Sequence, residues 1–532
     1  MRRMMVWEIG RSGKTRTIKN SNDMRKAIHV QILVIVCFLF GCAAPASPTQ
    51  FLVESPAADF SKLTSTPLPI PTATEKPVTP TLTPEPGLQS KGPYFAYFRE
   101  VNGLYQLVMM DADGAGRKVI EFSQGFINSL PDIQAALDMR LVSPDGHWLV
   151  FYTGSAGPYD QMPVLGTCDL TLNLLKLETK ETRTITPLLS KDYPNNFVEA
   201  AKKLNDPYIT ADSLYQAFVN GITRSIAWSP DGQYLAFSGQ MDGLSSDLYV
   251  YDMVTKRIQR LSSGDQELQW INWSPDGKWI VHSSVYWVGE GMSFDIYAAA
   301  LDGSPVRSLS TSSLYDGIET WLTPHVYFEN DNQNGPGDYG LRLVDIDTGE
   351  ITKIWDGAFE GYRLSRSGEW LVLLAFSFYS PYPYQDDPSG FSAGLQLINL
   401  KTHERVQNPK SVNDAEDMFL RTETGETIPL DLGSSMWGNK KISLSPDSKY
   451  WAVADNQELE IYFSDLVLIK EITIPMQNLK PYDVAWNLDS SSLFFVYGAD
   501  IYSANVPNGD IKIIEKDLFD SYGSTYKWIN VQ

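Results

Sequence analysis

The stretch AWSPDGQYLAF at residues 227–237 decides the fold, because the chain repeats it. Each copy is an alternating apolar run, a turn of the Ser-Pro-Asp-Gly type, and a second apolar run. Pro and Asp suit the central positions of such a turn, and Gly suits a left-handed position, so each copy predicts a β-hairpin buried on one face. The other copies are NWSPDGKWIVH (272–282), LVSPDGHWLVF (141–151), SLSPDSKYWAV (443–453), and the degraded RLSRSGEWLVL (363–373) and AWNLDSSSLFF (485–495).

A second hairpin phrase follows the first in several units. It occurs as DLYVYDMVTKRIQRLS (247–262), DIYAAALDGSPVRSLS (295–310) and DIYSANVPNGDIKII (500–514). Each unit therefore has four strands, and units recur after 45 residues (Asp231 to Asp276) and after 42 residues (Asp447 to Asp489). A four-stranded repeat of this period is typical of β-propeller blades, which complete their cores by packing around an axis.

These phrases resemble the WD40-like repeat of the TolB family, which couples WSPDG with a following D-[IL]-Y strand. The resemblance covers nearly all of residues 93–532 and implies an all-β propeller of four-stranded blades. Distant relatives include the propeller domains of prolyl oligopeptidases, so the resemblance implies a fold and leaves the function open. The fifth unit departs from the pattern, because it has WLTPHVYF (321–328) in place of an SPDG phrase.

We predict eight blades, with seven as the alternative if the fifth unit does not form one. The first blade has three strands in residues 94–122, and its missing inner strand is predicted at the C-terminus, residues 526–531, which would close the ring. The later blades are predicted at residues 138–188, 223–262, 269–310, 318–356, 361–407, 440–474 and 482–514.

The N-terminal region is typical of a bacterial lipoprotein. Residues 1–23 are basic and featureless, and Met24 is the expected true start; residues 24–41 have two cations, an apolar run and then Leu-Phe-Gly before Cys42. This pattern resembles a lipobox, which implies diacylation of Cys42, although Phe40 is bulkier than the usual residue. Residues 42–92 are predicted to be a disordered tether, because residues 43–92 contain ten Pro and eight Thr without apolar periodicity.

Charge and cysteine content limit the partners. The whole chain has a net charge of −21, and residues 1–41 contribute +6, so the remaining residues carry −27. Such an acidic chain is repelled by nucleic acid. Membrane attachment is therefore expected through the N-terminal lipid, on the outer side of the cytoplasmic membrane. Apart from Cys37 in the signal and Cys42, the chain has only Cys168, which we interpret as a packed residue. We expect a monomer without a cofactor.

The longest insertions are predicted at one end of the propeller. The SPDG turns join strands one and two, so the connections between strands two and three, and between blades, lie at the opposite end. The former are residues 154–171, 239–246, 283–294, 330–339 and 377–393; the latter are residues 190–221, predicted to contain helices, and 407–439. Loops on a rigid scaffold commonly carry function, so we expect a binding face over blades two to six.

Several motifs that suggest chemistry have a structural interpretation. GFSAG (390–394) matches a nucleophile elbow but lacks the strand–turn–helix context, and NDNQNGPGD (330–338) lacks the acid spacing of a calcium loop. Asp247, Asp295 and Asp500 recur before the third strand, and we interpret them as carboxylates that bond backbone amides. The histidines have no metal-ligand spacing, so we expect no metal; they are His29, His147, His282, His325 and His403.

Two aromatic segments are the candidate ligand-binding residues. Aromatic rings beside carboxylates suit stacking on sugars or gripping a peptide, although such rings can also simply pack their loops onto the blades. The candidates are Tyr286, Trp287 and Glu290 in blade four, and Tyr379, Tyr382, Tyr384 and Asp386 in blade six.

The leading functional hypothesis is a lipid-anchored, extracytoplasmic propeller that binds a protein or glycan of the cell envelope and catalyses nothing. The alternatives are a propeller-type enzyme, such as a hydrolase or polysaccharide lyase, and an envelope-assembly component like TolB. A pocket where His, Lys or Arg converge with carboxylates would favour the enzyme.

Overall fold

The computed structural model describes much of the compact unit Leu82–Gln532. The described residues are 87–88, 94–111, 114–130, 137–154, 165–166, 169–204, 210–222, 225–263, 267–288, 291–309, 317–332, 339–356, 359–375, 394–407, 409, 418–432, 441–454, 458–473, 481–487, 489–497, 500–516 and 526–529. The predicted export signal, Cys42, Cys168 and all of the predicted tether except residues 87–88 lie outside these residues.

The strands form eight successive antiparallel sheets, which confirms the eight-blade prediction over the seven-blade alternative. Blade 1 contains β1 (Tyr94–Val101), β2 (Leu104–Asp111), β3 (Arg117–Glu121) and the last strand, β33 (Tyr526–Ile529); blade 2 contains β4 (Trp148–Thr153), β5 (Thr171–Lys176) and β6 (Thr182–Pro187); blade 3 contains β7 (Ile226–Trp228), β8 (Tyr234–Gly239), β9 (Asp247–Asp252) and β10 (Ile258–Arg260); blade 4 contains β11 (Glu267–Trp273), β12 (Trp279–Val288), β13 (Gly291–Ala300) and β14 (Arg307–Ser308).

The second half continues in the same order. Blade 5 contains β15 (Gly317–Thr323), β16 (Val326–Asn332), β17 (Tyr339–Asp345) and β18 (Ile351–Asp356); blade 6 contains β19 (Phe359–Leu364), β20 (Trp370–Ala375), β21 (Gly394–Asn399) and β22 (Arg405–Gln407); a two-stranded hairpin contains β23 (Phe419–Arg421) and β24 (Thr427–Pro429); blade 7 contains β25 (Lys441–Leu444), β26 (Tyr450–Ala454), β27 (Glu458–Phe463) and β28 (Leu468–Thr473); blade 8 contains β29 (Pro481–Trp486), β30 (Ser492–Tyr497), β31 (Asp500–Asn505) and β32 (Ile511–Glu515).

Blade 2 is the one sheet of the eight with three strands. In the described residues its first strand is reduced to a single bridge between Val142 and Leu149, after a short 3-10 helix at Met139–Leu141. The first strands of neighbouring blades contact one another, as β7 contacts β11 and β25 contacts β29. The fourth strands β10 and β22 are exposed along their whole length, so the first strands lie innermost and the fourth strands form the rim.

The SPDG phrase folds through its own side chains. In blade 3, the Ser229 hydroxyl donates to Asp231 (2.6 Å) and accepts from the backbone N–H of Tyr234 (2.9 Å). Asp231 in turn accepts from the N–H of Gln233 (3.0 Å), and Gly232 has a φ of +70°, which Gly adopts without strain. The same bonds recur in blades 4 and 7. The repeated sequence is therefore a repeated turn structure.

In blades 3, 4 and 8, the Trp of the phrase links the blade to the one before it. Its indole N–H donates to a backbone carbonyl on or beside the innermost strand position of the previous blade, which satisfies a buried donor and a buried acceptor together. These bonds are Trp228 to Leu141 (3.0 Å), Trp273 to Ala227 (3.0 Å) and Trp486 to Ser443 (3.4 Å).

The C-terminal strand closes the ring, as predicted. β33 pairs antiparallel with β1, from Tyr94 opposite Ile529 to Tyr97 opposite Tyr526. Ile529 is fully buried in the apolar cluster that joins blades 1, 2 and 3. Lys527 donates through its ammonium group to the carbonyl of Val142 (2.8 Å), and burial lowers its pKa to about 8. The last strand therefore bonds to blade 1 and contacts blade 2.

The hairpin β23–β24 lies between blades 6 and 7, inside the predicted insertion 407–439. Leu420 and Ile428 pack on the Trp370 face of blade 6, whereas the Phe419 ring contacts Trp451 of blade 7 at 5.2 Å. The hairpin thus fills the seam between the two blades with apolar side chains.

Three helices are described: α1 (Gln124–Ile127), α2 (Tyr193–Leu204) and α3 (Ala211–Ile222). The last two confirm the helices predicted in the insertion 190–221, and their apolar faces pack with blades 2 and 3. Among the described residues, no helix has the length and apolar character needed to cross a bilayer.

Candidate binding site

Only some of the predicted ligand-binding residues lie within the described part of the structure. Tyr286 and Trp287 lie on β12, whereas Glu290 lies between β12 and β13 and outside the described residues. The four blade-six candidates, Tyr379, Tyr382, Tyr384 and Asp386, also lie outside the described residues. The structure therefore places two of the seven candidates, both in blade 4.

The prediction that residues 283–294 form a loop is wrong, because most of these residues lie in strands. β12 and β13 each have 10 residues and pair continuously from Trp279 opposite Ala300 to Val288 opposite Gly291. β11 follows β12 only as far as Val285. The residues beyond Val285 therefore extend past the sheet as a two-stranded hairpin, which carries Tyr286 and Trp287 at the end opposite the SPDG turns. The loop 330–339 is likewise shortened, because β16 continues to Asn332.

Trp270, on the innermost strand of the same blade, has unusual geometry. It has a φ of +47° and occupies a bulge, because the pairing of β11 with β12 shifts between Gln269 and Ile271. A bulky residue in the left-handed region is an outlier that costs about 1–2 kcal/mol. Half of its side chain is nevertheless exposed (50%), and its ring contacts that of Phe294 at 5.3 Å.

A backbone conformation of this kind, at an exposed residue, suggests a functional role for Trp270. Strained residues persist where the surrounding structure holds them, and they cluster at binding and catalytic sites. Tryptophan is also one of the residues enriched among the hot spots of protein interfaces. Trp270 is therefore the described residue best suited to bind a ligand in this blade.

The sequence contains a signal for this bulge that the hairpin pattern alone misses. Leu268 and Trp270 alternate in one phase, whereas Ile271 and Trp273 alternate in the other. A change of phase by one residue inside a strand is the pattern that an extra, unpaired residue produces.

A buried carboxylate fixes the beginning of β11. Glu267 accepts hydrogen bonds from the backbone N–H (3.0 Å) and the hydroxyl (2.7 Å) of Ser246 in the loop between β8 and β9. Burial raises its pKa to about 7, and the two bonds from Ser246 oppose this shift. The loop of blade 3 is thereby joined to the strand that carries Trp270.

For Asp247, the interpretation of the recurring carboxylates is wrong. Its oxygens accept from the side chains of Arg260 and Ser262 (3.2 Å from the hydroxyl), and not from backbone amides as predicted. Burial raises its pKa to about 6, and the guanidinium of Arg260 opposes the rise. Asp242 accepts from the same guanidinium at 3.0 Å, so this group is an ion-pair network that holds blade 3 together.

Two of the histidines, His282 and His325, contact other side chains of the blades. His282 is buried against the ring of Tyr297 (5.8 Å between centroids), and burial lowers its pKa to about 4, so it is neutral at pH 7. His325 pairs with Asp347 of its own blade 5 and with Asp276 across the seam with blade 4. In the described part of the chain, no three His, Cys, Asp or Glu side chains form a group that could hold a metal.

Comparisons with known proteins give similarities of limited extent. The sequence model for "WD domain, G-beta repeat" matches residues 216–247, which contain the phrase at 227–237. The Uncharacterized protein Atu1656 of Agrobacterium fabrum is 28% identical over 155 residues, which are 27% of this chain and 49% of that protein. The chain thus spans about half the length of the curated relative it matches.

Two solved structures illustrate the structural similarities. TolB from Acinetobacter baumannii matches with 16% identity over 64% of each chain and a TM-score of 0.26. Dipeptidyl peptidase 4 of Porphyromonas gingivalis matches with 8% identity over 80% of this chain and 60% of its own, with a TM-score of 0.45. The assignment of the β-propeller rests on the strand pairing described above, and the matched repeat model supports its WD40-like character.

Proposed function

We propose that this chain is a lipid-anchored, extracytoplasmic β-propeller that binds a protein or glycan of the cell envelope without catalysing a reaction. The binding surface is the end of blade 4 opposite the SPDG turns, where Trp270 lies on the inner strand and the extended hairpin carries Tyr286 and Trp287. The observation that carries the proposal is Trp270, half exposed in a strained backbone conformation.

The chemistry of this region favours binding. Two ionisable groups on the same sheet as Trp270 are used internally: Glu267 bonds to Ser246, and buried His282 contacts Tyr297. Glu267 and Asp247 have raised pKa values, which can indicate a catalytic acid, but here burial is the main cause of both rises, and both carboxylates are bonded to side chains of blade 3. A contact surface with a tryptophan anchor needs no ionisable group.

Location is proposed from the N-terminal sequence. The lipobox-like Leu-Phe-Gly-Cys ending at Cys42 implies an acyl anchor, and the Pro/Thr-rich residues after it suit a spacer between membrane and propeller. Envelope proteins and glycans are the macromolecules that such a tethered domain meets. Assembly with other envelope proteins, as the resemblance to TolB suggests, is one form of this function.

The experiment is a capture assay with the propeller immobilised. Wild type is incubated with a detergent-solubilised envelope fraction and, separately, with a glycan array. Trp270→Ala and the triple variant Trp287→Ala, Tyr382→Ala, Tyr384→Ala should lose the captured partner. Phe463→Ala is the matched control, because this ring is 45% exposed on blade 7 at the turn end of β27.

The result is judged with melting curves of every variant. Partner loss in the Trp270 variant, with a melting temperature like that of Phe463→Ala, supports the proposal. Capture of an envelope protein that survives Trp270→Ala, or a wild type that captures neither protein nor glycan, contradicts it. Turnover of a captured glycan or peptide by wild type would replace the binding function by the enzymatic alternative.

A further inference from the structure

A second concave site lies between blades 1 and 2. It is a cavity of about 340 Å³, open to solvent on one side, which lies within the size range of small-ligand pockets. One wall comes from blade 1 and the segment around α1, and the other comes from one face of the blade 2 sheet. The lining residues used below are Glu121, Phe126, Thr153, Asn173, Lys180 and Thr182.

The blade 1 wall ends in an aromatic ring. Phe126 is stacked on buried Phe122 at 5.3 Å and meets buried Phe151 edge-on at 4.8 Å. Phe126 itself is half-buried, so it is the accessible middle ring of three packed rings. A ring held in this way presents an apolar surface whose position is fixed before a ligand arrives.

The blade 2 wall is polar and equally well positioned. Buried Asn173 donates its two amide hydrogens to the hydroxyl of Thr153 (2.8 Å) and the carbonyl of Thr171 (2.9 Å), and it accepts from the hydroxyl of Thr184 (2.9 Å). The Thr153 hydroxyl thus accepts a hydrogen bond from Asn173. Its own O–H hydrogen is therefore directed away from Asn173 and can be donated to another group. Thr182 adds an exposed hydroxyl to the same wall.

The charges at the opening are balanced. The two ionisable lining residues, Glu121 and Lys180, are both exposed and have opposite signs. The cavity therefore offers no net charge to attract an anion or a cation. A ligand that fits must be neutral, must have an apolar face for Phe126, and must have hydroxyl or amide groups for the threonine side.

We propose that this cavity binds one ring of a neutral saccharide, with the ring face on Phe126 and the hydroxyls hydrogen-bonded to Thr153 and Thr182. A pyranose ring has both properties, since its axial C–H groups form an apolar face and its hydroxyls form a polar edge. The site belongs to blades other than the one that carries Trp270, so this inference does not depend on the proposed partner surface.

The test uses purified full-length protein and saccharides of different charge. The neutral probes are cellobiose, maltose and chitobiose, and the charged probes are glucuronic acid and glucosamine. Binding is measured by saturation-transfer NMR and calorimetry. We expect millimolar to micromolar dissociation constants for at least one neutral sugar, and weaker binding of both charged sugars.

Two variants locate the binding. Phe126→Ala should weaken the neutral sugar about tenfold or more, as the loss of an aromatic anchor does. Thr182→Val keeps the shape of an exposed side chain and removes only its hydroxyl, so this variant remains informative even if Phe126→Ala unfolds. We expect Thr182→Val to weaken sugar binding severalfold. Phe463→Ala is the control and should bind the sugar as wild type does.

Three results would overturn the proposal. The first is that no neutral sugar saturates the wild type at accessible concentrations. The second is that neutral-sugar binding is unchanged in Thr182→Val and in folded Phe126→Ala. The third is that a charged sugar binds more tightly than every neutral one.

Discussion

Ring closure by the last strand can be tested at Ile529. Its side chain is fully buried between β1 and the SPDG turn of blade 2, where its methyl group lies 2.6 Å from the position that a Cβ on Gly146 would occupy. Ile529→Ala removes about three carbon atoms from a closely packed seam. Such truncations of buried Ile cost about 2–5 kcal/mol. We expect about 3 kcal/mol, because one neighbour, the Gly146 turn, is fixed backbone and cannot collapse into the space.

The assay is urea unfolding followed by tryptophan fluorescence and circular dichroism. Ile258→Ala is the matched control, since Ile258 lies on the rim strand β10 and is 36% exposed; its loss should cost less than about 1 kcal/mol. Deletion of residues 524–532 should have a larger effect than either, with aggregation, because it exposes the edge of β1. If Ile529→Ala is no more destabilising than Ile258→Ala, closure by β33 does not hold the ring together.

Three further predictions follow from individual residues. Trp273→Phe loses the hydrogen bond to the Ala227 carbonyl, whereas the buried indole N–H of Trp370 has no partner among the described residues. We therefore expect Trp273→Phe to lower the free energy of unfolding in urea by about 1–2 kcal/mol more than Trp370→Phe does. Equal losses in the two variants would contradict a stabilising role of the interblade bond. Because burial raises the folded-state pKa of Glu267 from 4.5 to about 7, the stability that it contributes is present at low pH and is lost as pH rises through this window. Glu267→Gln should therefore gain stability relative to wild type between these pH values, by at most about 3 kcal/mol in denaturant titrations, and a parallel pH profile would contradict the shift. Cys42→Ala should release the protein from the membrane fraction, and a variant that still sediments with membranes would contradict lipidation.

The sequence predicts most of the fold because its repeated phrase contains its own turn bonds. The departure in the fifth unit matters little for the same reason: Thr323 accepts from the backbone N–H groups of His325 (3.2 Å) and Val326 (3.0 Å), so its hydroxyl accepts a backbone bond two residues on, as Asp231 does from Gln233 in blade 3. Ser448 and Ser490 replace the turn Gly and adopt a φ of +62°, at a modest cost in strain. Blade number and closure could be predicted because they depend on these local bonds.

The candidate site could be predicted only in part. The sequence indicates the aromatic residues of blade 4, but it does not show that Tyr286 and Trp287 extend a hairpin, since strand length past a sheet depends on partner strands. The hairpin β23–β24 was predicted only as an insertion, because packing between blades 6 and 7 is a non-local property. Trp270 was missed because a bulge is a single extra residue within a strong strand pattern.

The most direct test of the binding function is one variant with two measurements. Trp270→Gly removes the ring and relieves the left-handed strain, because Gly adopts a φ of +47° freely. We expect an unfolding free energy within about 1 kcal/mol of wild type, since relief of strain offsets the lost half-exposed contact with Phe294. We also expect that affinity for the captured partner falls about 30-fold or more, as for an interface anchor. A variant that loses stability yet binds its partner as tightly as wild type would contradict the account, because Trp270 would then be a packing residue.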